Sequence, residues 1–128
     1  MATLQGTKEN LEDLVLGNDI VLIDFWAEWC GPCKVFGPVF EEASERHPDV
    51  TFIKVDTEAE PELAAAFGVR AIPMLVAFRE GVGMVSSAGA VSAESLNELI
   101  SRIRALDMEE VRAEMNQRQQ EPGEASDD

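Results

Sequence analysis

Apolar residues gather in one unbroken run early in the chain, where Ile20 to Trp26 reads I-V-L-I-D-F-W and only Asp24 is polar. That pattern predicts a central strand buried on both faces. A second strand is predicted over Val50 to Asp56, and Ala71-Ile72-Pro73-Met74 leads into a third that ends at Phe78. Arg79 to Val82, with Gly81, reads as a hairpin turn into a last strand from about Gly83 to Ala88. Helical spacing fills the intervals. Leu11, Leu14 and Val15 recur after Thr7, an N-cap candidate, and Gly17 can close that helix. Phe36, Val39, Phe40 and Ala43 share one face of a helix expected from about Cys33 to His47, bent near Pro38 and stopped by Pro48. Pro61 opens a short helix with Leu63, Ala64 and Phe67 as its apolar side and Gly68 at its end. Ser92 caps a further helix whose Leu96, Leu99, Ile100 and Ile103 lie together. Met1 to Gln5 can add at most a very short edge strand. Two strand–helix pairs followed by a hairpin and a helix imply an α/β domain. Its mixed central sheet has four strands, or five with the edge strand, and helices on both faces.

Past Leu106 the apolar pattern changes phase. A continued helix would carry Met108, Val111 and Met115 roughly 90° away from the Leu96 to Ile103 face, at about 100° per residue. Asp107 and Glu110 have the spacing of a capping box, and Leu106 with Val111 that of a hydrophobic staple. The expected division is a domain over 1–106 and an extension over 107–118 whose helix runs from about Met108 to Gln117; the alternative is one long helix whose final turns are solvated. An acidic stretch over 119–128 follows, with a composition that cannot support a core and is expected to be disordered.

The only two cysteines, Cys30 and Cys33, follow the central strand directly, with Gly31 and Pro32 between them. Pro32 suits the first turn of a helix, so strand, turn and helix start meet at the thiols. A cysteine at a helix N-terminus faces unpaired N–H groups and the positive end of the helix dipole, which favour thiolate over thiol. Cys30 is therefore the expected nucleophile. Cys33, one turn further in and more buried, is placed to attack a mixed disulfide formed at Cys30. Asp24 loses hydration in its charged form inside an apolar strand, so its pKa should rise until it exchanges protons near neutral pH.

Charge and length narrow the function classes. The chain has 128 residues and a formal net charge of −15, which disfavours nucleic acid and anionic membrane surfaces. No signal-like segment and no apolar stretch of the roughly 20 residues a membrane span needs is present, so a cytoplasmic location is expected. In that compartment a close cysteine pair is catalytic or metal-binding more often than structural. A zinc or iron–sulfur site would need further soft ligands. The single histidine, His47, sits at a helix end among solvating charges and reads as a surface residue.

The segment V-L-I-D-F-W-A-E-W-C-G-P-C-K resembles the active-site segment of the thioredoxin family, with matches at Asp24, Trp26, Trp29, Gly31, Pro32 and Lys34 beyond the bare C-x-x-C. The similarity extends to about Leu106. The resemblance implies a thioredoxin fold and a protein dithiol–disulfide oxidoreductase working mainly as a reductant. It implies no bound cofactor and no metal, only a redox-active Cys30–Cys33 pair recycled by an NADPH-dependent flavoprotein, thioredoxin reductase. Clients would be disulfide-containing proteins, and a monomer is expected. Gly31 and Pro32 resemble the pair in reducing members, whereas oxidising relatives tend to carry a histidine there. Lys54 resembles the lysine held near the buried aspartate; the plainer reading is a packed stem with its ammonium in water. Sequence alone favours a trans Ile72-Pro73 bond, but the resemblance implies a cis-proline facing the cysteines. Gly89 matches a glycine of the substrate groove, and Trp29, Ile72, Pro73 and Gly89 would form an apolar rim where an extended client segment pairs with the backbone at Ile72. Met74 departs from the usual threonine and should make that side of the groove more apolar. The competing readings are an isomerase or oxidase, and a binding or chaperone module that keeps the fold without the chemistry.

Overall fold

The computed structural model describes residues 2–120. Five strands form one sheet in the order β1-β3-β2-β4-β5, where β1 is Thr3–Gln5, β2 Ile20–Trp26, β3 Val50–Asp56, β4 Met74–Arg79 and β5 Val82–Ala88. β1 and β2 run parallel to β3, while β4 lies antiparallel to β2 and β5 antiparallel to β4. β2 is central because its alternation is apolar on both sides, and all its residues but Trp26 are buried. One face packs against α2 (Gly31–Arg46) and α4 (Ala93–Arg104), where Leu22, Phe36, Phe40, Phe52, Leu96 and Ile100 form the core. The other packs against α1 (Leu11–Leu16) and α3 (Pro61–Ala66) through Leu11, Val21, Phe25, Ile53 and Val76. Helices on both faces of a mixed sheet are the architecture the strand and helix pattern predicts, with the short β1 present as a fifth strand.

Several local expectations change. The first helix starts later than Thr7 suggests. Its N-cap is Asn10, whose side chain reaches backward, accepting from the Thr7 N–H at 2.7 Å and donating to the Gln5 carbonyl at 3.0 Å. α2 begins at Gly31 rather than Cys33 and continues through Pro38 to Arg46. His47, its C-cap, is half-buried: Nε2 lies 2.9 Å from Asn97 Oδ1 and Nδ1 lies 3.1 Å from an Arg104 nitrogen. It fastens α2 to α4 instead of standing free on the surface. Met74 does not face the groove. It is the first residue of β4, in register with Phe25, and is buried in the α1/α3-side core.

The hairpin between β4 and β5 turns on Glu80 and Gly81, with φ of 53° and 79°, the double positive φ of a type I′ turn. This turn and its neighbour Arg79 anchor the C-terminal region. Arg79 pairs with Asp19 at 2.8 Å and donates to the Ile103 carbonyl at 2.6 Å, an oxygen at the end of α4 that also accepts from the Leu106 N–H at 3.2 Å. α4 ends at Arg104 and α5 runs from Met108–Gln120, with Asp107 Oδ1 accepting from the Glu109 and Glu110 N–H groups at 3.1 and 3.3 Å. Met108 is buried, Val111 half-buried and Met115 exposed, and Arg112 donates to Glu80 Oε1 at 2.5 Å. Gln119 and Gln120, expected to lack structure, belong to α5; the rest of that stretch, 121–128, lies outside the described residues.

Candidate active site

The site is built where β2 runs out into α2. Cys30 is the N-cap of α2, in an extended conformation (φ −91°, ψ 111°), and its sulfur accepts from the Cys33 N–H at 3.2 Å. Pro32 occupies the first turn, where no N–H is needed. The two cysteines form a disulfide with their Cα atoms 5.2 Å apart. Both are buried, 3% exposed at Cys30 and 5% at Cys33, so in the oxidised pair Cys33 does not lie deeper as the sequence suggests. Their surroundings differ instead. Cys30 Sγ lies 3.6 Å from the Ile72 carbonyl oxygen, on the side of the cis-proline, whereas Cys33 lines an open cleft of about 370 Å³ with Asp24, Gly37, Glu41 and Lys54.

Alternation along β2 puts Asp24 on the α2/α4 face with Ile20 and Leu22, and the register sets it beside Lys54 of β3. Asp24 is 1% exposed and neither carboxylate oxygen has a hydrogen-bond partner among the described residues. Burial pushes its pKa up to about 7, against the pull of Lys54 and with an added push from Glu41. The Lys54 ammonium does not reach water alone. It lies 3.7 Å from Glu41 Oε2 and 5.4 Å from the centre of the Trp26 ring.

On the outer side, the Ile72-Pro73 bond is cis, Ile72 packs against the cysteine pair, and the Gly89 N–H donates to the Pro73 carbonyl at 2.8 Å. Gly89 has φ 102°, a conformation that needs glycine. Trp29 is 68% exposed, its indole N–H held by Glu58 Oε2 at 3.1 Å. Gly31 is exposed and a Cβ there would touch nothing, so the surface over the disulfide stays open. Among the described residues no three His, Cys, Asp or Glu side chains gather to hold a metal. His47 caps the far end of α2 from Cys33 and cannot complete a ligand set with the cysteines.

Two contributors escape a reading of the sequence. Glu41 follows Cys33 and Gly37 at four-residue steps, which puts all three on one stripe of α2, and that spacing is the available signal. Glu58 has none, since its contact with Trp29 crosses two loops.

A C-x-x-C disulfide at a strand-to-helix turn, backed by a buried carboxyl and faced by a cis-proline, defines a thiol–disulfide oxidoreductase site. The thioredoxin family profile matches residues 2–102. The putative thioredoxin 2 of Streptomyces coelicolor is 52% identical over 122 residues, covering 95% of this chain and 91% of its own. Thioredoxin C-3 of Corynebacterium nephridii is 41% identical over 100 residues, covering 77% and 69%. Among solved structures, a mutant thioredoxin from Halobacterium salinarum superposes with a TM-score of 0.76 at 36% identity, covering 82% of this chain and 93% of that one. The chain belongs to the thioredoxin family, and its activity is that of a protein-disulfide reductase.

Proposed function

We propose that Cys30 attacks the client disulfide, Cys33 resolves the intermediate, and Asp24 takes the proton that Cys33 must lose. One observation supports this division: Cys33 shares its cleft with Asp24, while Cys30 faces the Ile72 carbonyl at the groove. The Cys30 thiolate attacks one client sulfur, the client S–S bond breaks, and its second sulfur leaves and is protonated. Cys33 then passes its proton to the Asp24 carboxylate and attacks Cys30 Sγ. The Cys30–client bond breaks, the client leaves reduced by two electrons, and the Cys30–Cys33 disulfide remains. Gly31 and Pro32 keep the turn tight and uncovered. Trp29, Ile72, Pro73 and Gly89 form the rim on which an extended client lies, its main chain pairing at Ile72.

Recycling by an NADPH-dependent flavoprotein, thioredoxin reductase, closes the cycle, so the chain carries no cofactor of its own, and a monomer suffices because Cys30, Cys33 and Asp24 all come from one chain. A cytoplasmic location fits a pair that cycles through the dithiol; among the described residues no helix is long and apolar enough to cross a membrane. The test is reduction of a generic protein disulfide, first with a small dithiol as donor and then with purified reductase and NADPH. Turnover with both donors is expected. Turnover with neither would leave a binding module.

The domain over 1–106 and the extension over 107–118 are, in this reading, docked parts of one body. α5 meets the hairpin at the Ile20 end of β2, whereas the cysteines follow its Trp26 end, about 20 Å away for a seven-residue strand. Truncation after Leu106 removes the buried Met108, so unfolding free energy should fall by about 2–4 kcal/mol while reductase kinetics stay unchanged. Chemical denaturation checks it, and equal stability would deny α5 a docking role.

A further inference from the structure

The register of β2 on β3 would by itself give an Asp24–Lys54 ion pair, because the two residues are direct partners on one face of the sheet. That pair is not made. Lys54 turns its ammonium to Glu41 Oε2, and the same oxygen accepts from Thr3 Oγ1 of β1 at 2.9 Å. Both Asp24 oxygens and Glu41 Oε1 are left buried without hydrogen-bond partners among the described residues.

We infer that Glu41, held by the Thr3 hydroxyl, draws the Lys54 ammonium away from Asp24 and so raises the proton affinity of the buried carboxyl. Glu41 is thus a positioning residue, acting on Asp24 by holding Lys54 and by its own negative charge; its catalytic meaning rests on the reading of Asp24 as the acceptor of the Cys33 proton. The charged groups around the cleft are few. β2 supplies Asp24, β3 Lys54, and α2 Glu41 with the exposed Lys34; the loop after β2 supplies the exposed Glu28. Of these cations, Lys54 is the one in register with Asp24, and among the described residues of the cleft Glu41 is the carboxylate paired with it. A neutral residue at 41 leaves the ammonium uncompensated and free to turn to Asp24, which favours the charged carboxylate.

The experiment follows the Asp24 side-chain carbon by NMR through a pH titration of the full chain, beside the pH profile of disulfide exchange. Glu41→Gln keeps an acceptor for Thr3 and should lower the Asp24 midpoint by about one pH unit, a tenfold loss of proton affinity. Lys54→Met should raise it. An Asp24 midpoint that stays put or rises in Glu41→Gln overturns the inference, as does one unmoved in Lys54→Met. If the NMR midpoint falls while the exchange profile stays in place, Glu41's effect on Asp24 stands and the assignment of Asp24 as the Cys33 proton acceptor is lost.

Discussion

Replacing Asp24 with asparagine should make the protein more stable at pH 8 by up to about 4 kcal/mol and leave it nearly unchanged at pH 4. The folded carboxyl has a pKa of about 7 against an ordinary 3.8, so the folded state holds its proton more tightly than the unfolded chain. Stability is then greatest below pH 3.8, falls as pH climbs from 3.8 to 7, and levels off above; each unit of difference is worth about 1.4 kcal/mol. The amide of the Asp24→Asn protein carries no charge to desolvate and is spared the fall. Urea denaturation at the two pH values measures it, and parallel curves for the two proteins would mean that Asp24 is solvated. The same substitution should slow turnover at pH 7 by about 10- to 30-fold, because without an internal base only the few per cent of an ordinary thiol already ionised at that pH can attack. The deficit should close as pH approaches the pKa of the free thiol.

Replacing Cys30 with serine should abolish disulfide reduction altogether, since a hydroxyl at that N-cap is not ionised by the helix terminus and forms no mixed disulfide. Cys33→Ser keeps the attacking sulfur and should complete the first exchange, then stop with the client attached. The two variants are therefore equally dead in steady-state turnover and different in what they accumulate. A Cys33→Ser protein that turns over at the wild-type rate would mean that the small-molecule donor, not Cys33, resolves the intermediate.

The parts of this site readable in the sequence are those whose chemistry is local. The Ile20 to Trp26 run, apolar but for Asp24, dictates a strand buried on both faces, and the thiols that follow it fall at a helix start because Pro32 suits the first turn. Asp24 stands out for the same reason: one carboxyl inside that run has no local partner. What is not readable depends on how distant elements meet. Thr7 has the chemistry of an N-cap, but the Asn10 side chain bonds back to Thr7 and Gln5, so α1 begins only at Leu11. Met74 reads as a groove residue because a position beside Pro73 points either way until the register of β4 on β2 is known, and one residue of slip reverses it. Lys54 stands out only by resemblance. Its actual partner, Glu41, lies on a different element, and the hydroxyl that holds Glu41 comes from a three-residue edge strand that the apolar pattern barely registers. The equal burial of Cys30 and Cys33 is likewise a property of the closed disulfide, which a helix-position argument about free thiols does not address.

The central claim, that the cysteine at the helix start attacks and the one a turn later resolves, is tested most directly by the covalent product of Cys33→Ser. The reduced variant is incubated with a protein disulfide, trapped with acid, digested without reductant and mapped by mass. A peptide containing Cys30 joined to a client cysteine is the predicted product, with no such adduct from Cys30→Ser. An adduct on Cys33 in the Cys30→Ser protein, formed as fast as the first, would contradict the account.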